Sequence, residues 1–385
     1  MDRNFPLLTD LSRVPSPCFI VSDEALAKNL AILERVKRET GCRILLALKA
    51  FAMHAVFPML RETLDGTCAS SPFEARLGRE YFGGEVHTFS AAYSREDLIE
   101  AATYSDFLIF NSFAQWERFR PLIPGKGKPI QYGLRVNPEH SESPAAIYDP
   151  CAPGSRLGIT RDQFEGRSLD GISGFHFHTL CEQNADALER TLDAFEKRFE
   201  TFMQNMTWLN MGGGHHVTRD DYRVDLLCEL IIRAKKRWGV DVYIEPGEAV
   251  ALNAGILAAT VLDIVTNRIK IAILDTSAAT HMPDVIEMPY RPEVEGAGKP
   301  GEKAYTYQLA GPSCLAGDVI GEYSFDNPLE AGDRLIFHDM AHYSMVKTNM
   351  FNGINLPAIV RYSAAAGTFT VVRRFGFEDY VGRLS

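Results

Sequence analysis

Residues 172–214 read ISGFHFHTLCEQNADALERTLDAFEKRFETFMQNMTWLNMGGG. The two ends of this stretch, ISGFHFHT and TWLNMGGG, are short, apolar and rich in residues that favour strands. Between them, Ala185–Met203 carries apolar residues three and four positions apart, which is the pattern of an amphipathic helix. A helix that joins two strands in this way returns the chain to pair them in parallel, so the stretch predicts a βαβ unit.

The same strand–turn–helix pattern repeats from residue 23 to about residue 254. Further helices are predicted over Pro72–Tyr81 and Asp220–Trp238. Six more segments are predicted to be strands: ILLALK from Ile44, GTCASS from Gly66, EVHTFS from Glu85, DFLIFNS from Asp106, IQYGLRVNP from Ile130 and DVYIEPG from Asp241. Eight strands that alternate with helices predict a parallel sheet closed into a β/α (TIM-like) barrel over residues 23–255. A doubly wound open sheet is the alternative.

Beyond Ala254 the pattern changes to closely spaced strands with Gly and Pro turns. The strand-like segments there are ILAATVLDIVT, IKIAILDT, AYTYQLA, RLIFHD, PAIVRY and TFTVVRRF. Little helical pattern separates them, so residues 256–385 are expected to form a second, all-β domain.

Composition limits the possible partners of this 385-residue chain. Its formal net charge of −10 argues against nucleic acid or an anionic membrane as the main partner. The most apolar run, Ile44–Leu60, is interrupted by Lys49, His54 and Pro58 and is too short to span a bilayer. Seven scattered cysteines without a C-x-x-C pair, and no secretory leader, predict a cytoplasmic protein with free thiols.

Two unusual charged residues follow predicted strands, at the edge where β/α barrels carry their chemistry. Lys49 ends an apolar run, which is expected to desolvate its amine and leave it free to form a Schiff base. A lysine that extends from a strand end to solvent is the alternative. Glu245 ends the eighth strand, where a carboxylate could keep a pyridine nitrogen protonated. A structural carboxylate before a tight turn is the alternative.

Glycines and histidines mark two other strand ends. Gly212, Gly213 and Gly214 could offer backbone N–H groups to a phosphate, although glycine runs also make plain turns. His176 and His178 alternate along a strand and so point to one face, where one could stack on a flat aromatic ring. A zinc pair is the alternative, but no further ligands are suitably spaced, so no metal is expected.

Taken together and in this order, these residues resemble the alanine-racemase-fold decarboxylases that depend on pyridoxal 5′-phosphate. That family includes the ornithine, diaminopimelate and carboxynorspermidine decarboxylases, and the resemblance covers nearly the whole chain. It implies that Lys49 holds the cofactor and is catalytic, and that Arg135, in GLRVNP, lies near the cofactor. It further implies that His178 stacks on the ring, Gly212 to Gly214 bind the phosphate, and Glu245 contacts the pyridine nitrogen.

The resemblance extends into the second domain. GPSCLAGD places Cys314 and Asp318 in the motif that crosses the dimer interface, and Tyr343 matches a tyrosine that contacts the phosphate. The family therefore implies a homodimer with shared active sites, in which a catalytic Cys314 reaches the site of the partner. It also implies that the first strand of the second domain comes from about Pro15–Val21, so that residues 1–22 complete that domain.

Departures from the family pattern indicate the subfamily. Ornithine and diaminopimelate enzymes usually carry arginine where this chain has Glu248, and diaminopimelate enzymes carry glutamate where it has Leu315. HFHTLCEQ, EPGEA, DTSAATHMPDVIEMPYRP and GPSCLAGD are instead similar to carboxynorspermidine decarboxylase, which makes norspermidine or spermidine. A substrate with several amines would suit five acidic residues, which are otherwise solvated loop charges: Glu248, Asp275, Asp284, Glu287 and Asp318.

Two other functions remain open from the sequence. One is a diaminopimelate, ornithine or other basic amino-acid decarboxylase, or a racemase, of the same fold. The other is a relative without activity that only binds the cofactor or a partner. The second predicts the loss of reactive groups, yet Lys49, Cys314 and Tyr343 are all present.

Overall fold

The computed structural model describes residues 11–123, 129–143 and 146–385. The chain divides into two compact units, one formed by Asn29–Val250 and the other by residues up to Lys28 together with Ala251–Ser385. Of the segment 1–22 that is expected to complete the β domain, residues 1–10 lie outside the described residues.

The first strand, β1 (Cys18–Ser22), belongs to the second unit, and the next eight strands form the first. They are β2 (Arg43–Ala47), β3 (Gly66–Ala69), β4 (Glu85–Phe89), β5 (Phe107–Phe110), β6 (Gln131–Arg135), β7 (Gly174–His176), β8 (Trp208–Asn210) and β9 (Asp241–Ile244). Each pairs in parallel with the next, and β2 pairs with β9, so the sheet closes. The predicted barrel is confirmed, and the open sheet is excluded because it would leave β2 and β9 as edges.

Helices follow most of these strands. They are α1 (Asp23–Thr40), α2 (Phe57–Leu60), α3 (Pro72–Leu77), α4 (Arg95–Tyr104), α5 (Phe113–Phe119), α6 (Ala185–Phe199), α7 (Val224–Trp238) and α8 (Glu248–Ala251). The predicted helix over Pro72–Tyr81 is α3 followed by a π-helical turn, and α6 passes into a 3-10 segment after Phe199. The helix predicted from Asp220 begins later, at Val224.

Aromatic packing fills the barrel interior. Leu45, Phe107, Ile109, Trp208 and Tyr243 form one buried cluster. The Trp208 ring needs the absence of side chains on β6 and β7, because a Cβ at Gly133 or Gly174 would stand 2.2 or 2.1 Å from it. These two glycines therefore allow a large ring to occupy the centre of the barrel.

The second unit is built on an eight-stranded sheet. Its remaining strands are β10 (Gly255–Asn267), β11 (Ile269–Leu274), β12 (Tyr305–Ala310), β13 (Val319–Phe325), β14 (Arg334–His338), β15 (Ala358–Ser363) and β16 (Thr368–Arg373). The order is β13-β12-β11-β10-β1-β15-β16, and β14 also pairs with β10. The N-terminal strand β1 thus lies centrally, antiparallel to β10 and parallel to β15.

Two features of this unit were not predicted. The sequence pattern did not predict strand β13. It also did not predict three short helices that interrupt the β pattern: α9 (Ala278–His281), α10 (Asp284–Glu287) and α11 (Phe377–Val381). The domain is therefore mostly rather than entirely β. Across the described parts of both units, no helix has the length and apolar character needed to cross a membrane.

Candidate active site

A cavity opens at the carboxyl ends of the barrel strands. Four of the residues singled out from the sequence line it together: Lys49, Arg135, His178 and Glu245. Their strands are distributed around the barrel, so it is closure of the sheet that brings them to one site. His176, the other histidine considered for stacking, also lines the cavity, and two further lining side chains were given no role in the sequence analysis: Cys68 and His87.

Lys49 lies in the turn two residues after β2 ends at Ala47. Its neighbours Leu48 and Ala50 are buried, whereas Lys49 itself is exposed. The expectation that apolar neighbours desolvate this amine is therefore wrong, because those neighbours pack into the protein and leave Lys49 on the cavity side. The result is an accessible amine that can attack a carbonyl carbon.

A carboxylate that the sequence analysis missed lies near Lys49. Burial raises the pKa of Glu74, and the positive charge of Lys49 opposes that rise. Glu74 Oε2 also accepts a hydrogen bond from the Ser70 N–H at 2.6 Å, while the Ser71 hydroxyl caps α3. The Ser71–Glu74 spacing is a helix-capping signal, which by itself accounts for a glutamate at this position. The sequence therefore gave no reason to place Glu74 near Lys49.

Glu245 is held at both carboxylate oxygens. Asn210 Nδ2 donates a hydrogen bond to Oε1 at 2.7 Å, and His176 Nε2 lies 3.3 Å from Oε2. Burial by itself would raise the pKa of Glu245, but the contacts with His176 and the Asn210 amide outweigh burial and lower the pKa. The carboxylate is therefore a fixed anion in the cavity wall.

His178 is fixed as a neutral ring. Its Nδ1 accepts a hydrogen bond from the Gly213 N–H at 3.0 Å, which places the proton of the neutral ring on Nε2. Burial, reinforced by the charges of Lys49 and Arg135, holds the pKa of His178 well below its usual value. An uncharged imidazole in one orientation suits stacking against a flat cofactor.

Arg135 supports this arrangement from β6. Its Nη2 donates to the carbonyl oxygen of His178 at 3.1 Å, and its guanidinium lies 4.6 Å from the centre of the Phe89 ring. Burial lowers the pKa of Arg135 to about 10, so the side chain stays charged at neutral pH.

The glycine loop after β8 is shaped by close backbone contacts. A Cβ at Gly213 would stand 2.1 Å from the Glu245 carbonyl oxygen, and one at Gly214 would stand 1.9 Å from the Leu180 carbonyl oxygen. The Gly212 N–H donates to Asn210 Oδ1 and the Gly213 N–H donates to His178. Two of the three N–H groups are thus already bonded within the protein, and a phosphate role for this loop rests on Gly214.

Glu248 lies at the start of α8 in the barrel unit. His216 Nε2 is 3.1 Å from Glu248 Oε2, and both side chains are largely buried. Glu248 is therefore engaged by a histidine four positions after Gly212. Its predicted contact with substrate remains a prediction.

The other predicted site residues belong to the second unit. Cys314 is exposed, and its N–H donates to Asn352 Oδ1 at 2.8 Å. Asp318 is buried, and its carboxylate accepts hydrogen bonds from the Ser277 hydroxyl and from the N–H groups of Ala279 and Ser313. Asp318 thus organises the loop that carries Cys314, and its contact with substrate stays a prediction.

The remaining acids of this unit also have protein partners. Asp275 Oδ1 accepts the Thr260 N–H at 2.8 Å, which ties it into the sheet. Asp284 and Glu287 both contact the ammonium group of Lys347, a residue that the sequence analysis did not consider.

Tyr343 lies in the loop after β14 and is partly buried. It has a φ of 47°. A bulky residue in this left-handed conformation is strained, and such strain is typical of functional sites.

Among the described residues, no cluster of three or more His, Cys, Asp or Glu side chains could hold a metal ion.

Comparison with known proteins places these features in context. The family model described as "Pyridoxal-dependent decarboxylase, C-terminal sheet domain" matches residues 18–341. The chain is 46% identical to carboxyaminopropylagmatine decarboxylase of Synechocystis sp., over 97% of this chain and 96% of that protein. It is 41% identical to carboxynorspermidine/carboxyspermidine decarboxylase of Campylobacter jejuni, over 96% of this chain and 98% of that protein.

A solved structure is similar along the whole chain. The crystal structure of carboxynorspermidine decarboxylase from Campylobacter jejuni, complexed with norspermidine, superposes with a TM-score of 0.88 at 40% identity. The match covers 96% of this chain and 100% of that one.

Proposed function

The chain belongs to the pyridoxal-dependent decarboxylases, and we propose that its substrate is a carboxylated polyamine of the carboxynorspermidine or carboxyspermidine type. The observation that carries this proposal is the identity of 41% and 46%, over almost the full length, to two decarboxylases whose names specify carboxylated amines of this kind. The products would be norspermidine or spermidine and CO2, in polyamine biosynthesis.

The cofactor is pyridoxal 5′-phosphate, and the residues of the barrel cavity fit it. Lys49 offers an accessible amine for its aldehyde, Glu245 a buried anion for its ring nitrogen and His178 a neutral flat surface for its ring. Gly214 and, from the second unit, Tyr343 are the proposed phosphate contacts. When bound, the cofactor supplies a conjugated ring that accepts the electron pair left behind when CO2 departs.

Three side chains have proposed roles in the reaction: Glu245, Lys49 and Cys314. Glu245 keeps a proton on the ring nitrogen, which strengthens the ring as an electron acceptor. Lys49 would hold the cofactor through its amine when no substrate is bound. Cys314 of a partner chain is our proposed donor of the proton that replaces the carboxylate. A protonated ring would stabilise the carbanion left by loss of either CO2 or an α-proton, so decarboxylation rather than racemisation is supported by the decarboxylases that the chain resembles.

Recognition of the distant amines is proposed for the acidic residues of the second unit. Asp284 and Glu287 share the single positive charge of Lys347, so the three side chains together keep one net negative charge. A cluster with this charge suits a cationic end group of the substrate and repels the distal carboxylate of diaminopimelate. Each charge-assisted hydrogen bond is worth roughly 1.5–3 kcal/mol, so two lost contacts would lower kcat/KM by about two to four orders of magnitude.

A second candidate substrate is carboxyaminopropylagmatine, favoured by the 46% identity to the Synechocystis enzyme. The two candidates differ in the end group, which is a guanidinium in agmatine and an amine in the polyamines. A planar guanidinium prefers a bidentate carboxylate, whereas an ammonium accepts any arrangement of oxygens.

The experiment that tests the proposal is a comparison of kcat/KM for five substrates, with product masses: carboxynorspermidine, carboxyspermidine, carboxyaminopropylagmatine, ornithine and diaminopimelate. We expect one of the first two to be the best substrate. A preference for carboxyaminopropylagmatine would move the assignment to the second candidate, and a preference for ornithine or diaminopimelate would contradict both. Asp284→Asn and Glu287→Gln should reduce the discrimination, while Asp326→Asn, an exposed acid paired with Lys303, is the matched control.

We further propose a cytoplasmic homodimer with shared active sites. Free cysteines, seven in number, support a reducing compartment. The Cys314 loop supports the dimer, since it presents an exposed Leu315 beside the exposed Phe351 of the adjoining segment. Exposed apolar side chains around an exposed thiol are suited to cover by a second chain.

A further inference from the structure

Asn210 ends β8 with a fully buried side chain that uses both ends of its amide. Its Nδ2 donates to Glu245 Oε1 at 2.7 Å, and its Oδ1 accepts the Gly212 N–H at 2.9 Å. One side chain therefore connects the carboxylate assigned to the ring nitrogen with the glycine loop. The bonded Gly212 N–H also fixes which amide end faces the carboxylate, because only the Oδ1 end can accept it.

The surroundings of Glu245 make this donor important. Titratable and charged groups line the same cavity from five further strands or strand ends: Lys49 after β2, Cys68 on β3, His87 on β4, Arg135 on β6, and His176 and His178 on and after β7. Burial lowers the pKa of His87 to about 3 and raises that of Cys68, so neither supplies charge near neutral pH. Asn210 Nδ2 lies closer to the carboxylate oxygens than His176 Nε2 does, at 2.7 Å against 3.3 Å, and the Cys68 side chain also contacts this carboxylate.

We propose that Asn210 is the positioning residue that holds Glu245 as an oriented anion and thereby keeps the proton on the pyridine nitrogen of the cofactor. The inference deepens the proposed function, since it rests on Glu245 contacting that nitrogen. An amide suits this position because it donates a hydrogen bond and cannot take a proton from the ring. An aspartate in the same place would form a carboxylate pair, which holds one shared proton tightly.

The test is Asn210→Asp, a change of almost no volume. The carboxylate pair would compete with the pyridine nitrogen for its proton, so the ring nitrogen should lose it as pH rises. The measurement is nitrogen-15 NMR of the purified holoenzyme loaded with ring-labelled pyridoxal 5′-phosphate, between about pH 6 and 9. We expect the parent to stay protonated throughout and Asn210→Asp to titrate within the range. Above its transition, the decarboxylation rate relative to the parent should fall about tenfold per pH unit.

A matched control is available in the same unit. Asn29 is also buried, and its Nδ2 donates to the Val250 carbonyl oxygen at 3.1 Å rather than to a carboxylate. Asn29→Asp should therefore leave the ring nitrogen protonated across the range. An identical titration in Asn29→Asp, or a ring nitrogen that stays protonated in Asn210→Asp, would overturn the proposal.

A second variant covers the case in which Asn210→Asp does not load cofactor. Asn210→Leu keeps the bulk and removes the donor, so the proton should move from the ring toward Glu245 by about ten- to a hundredfold in equilibrium. A nitrogen-15 shift equal to that of the parent in this variant would contradict the proposed role. Because the NMR measurement uses no substrate, its outcome is independent of which carboxylated amine the enzyme consumes.

Discussion

The substitution Gly213→Ala tests the close contact between the glycine loop and the backbone at the end of β9. The φ of Gly213 is outside the left-handed region, so alanine is acceptable to the backbone and the effect is one of space. The new Cβ would stand 2.1 Å from the Glu245 carbonyl oxygen and 3.0 Å from its carbonyl carbon. Both are backbone atoms, so a strand end must move by about 1 Å to restore ordinary van der Waals contact.

That movement strains two hydrogen bonds: Gly213 N–H to His178 Nδ1 at 3.0 Å, and Glu245 N–H to the Gly212 carbonyl oxygen at 2.7 Å. Overpacking costs about 1–3 kcal/mol and each of the two weakened hydrogen bonds about 0.5–1.5 kcal/mol, so we expect a loss of roughly 2–6 kcal/mol in unfolding free energy. For a unit of this size that corresponds to a Tm about 5–20 °C lower. A displacement of about 1 Å at Glu245 and His178 should also reduce kcat about a hundredfold.

The assays are thermal unfolding of the apoprotein, titration with pyridoxal 5′-phosphate by absorbance, and decarboxylation kinetics. Gly376→Ala is the control, because a Cβ there meets nothing within 4 Å, and its backbone is extended with a φ of −156°. Its cost should stay below about 1 kcal/mol, as expected for alanine at a helix N-cap. If Gly213→Ala matches this control in Tm, cofactor affinity and kcat, the close approach of the loop to β9 is not as described.

Two further changes test the chemistry. Glu245→Gln should still load the cofactor but lose about two or more orders of magnitude in kcat, because a neutral amide does not hold the pyridine proton; decarboxylation at the parental rate would refute that role. Mixing Lys49→Ala with Cys314→Ala subunits should regenerate activity from two inactive proteins, as each hybrid dimer contains one site with both groups. No recovery after subunit exchange, verified by mass, would argue against shared sites.

The barrel could be predicted from the sequence because its strands are apolar segments separated by helices with 3.6-residue periodicity. All eight strand segments from Ile44 to Gly247 correspond to β2 through β9. Strand β13 was missed because Gly321 and Glu322 interrupt its apolar pattern, and its identity depends on antiparallel pairing with β12. Pairing across a sheet is a property of two segments, and one segment does not reveal it.

The side-chain network around the site was beyond sequence reasoning for a similar reason. Asn210 and Glu245 are 35 residues apart and meet because adjacent parallel strands end together. Lys347 and Asp284 are 63 residues apart in the second unit. The sequence therefore gave no sign that the ammonium group of Lys347 partly neutralises the acidic residues near Asp284. The exposure of Lys49 depends on the turn after β2, whereas its apolar sequence neighbours predicted burial.

The most direct test of the whole account is to locate the cofactor covalently. The purified protein, loaded with pyridoxal 5′-phosphate and reduced with borohydride, should yield one modified peptide, with the pyridoxyl group on the Lys49 side chain. Lys49→Ala should give no modified peptide and no visible absorption from bound cofactor, with Lys347→Ala as the control that retains both. A pyridoxyl group on any other lysine, or activity without modification of Lys49, would contradict the assignment of this site.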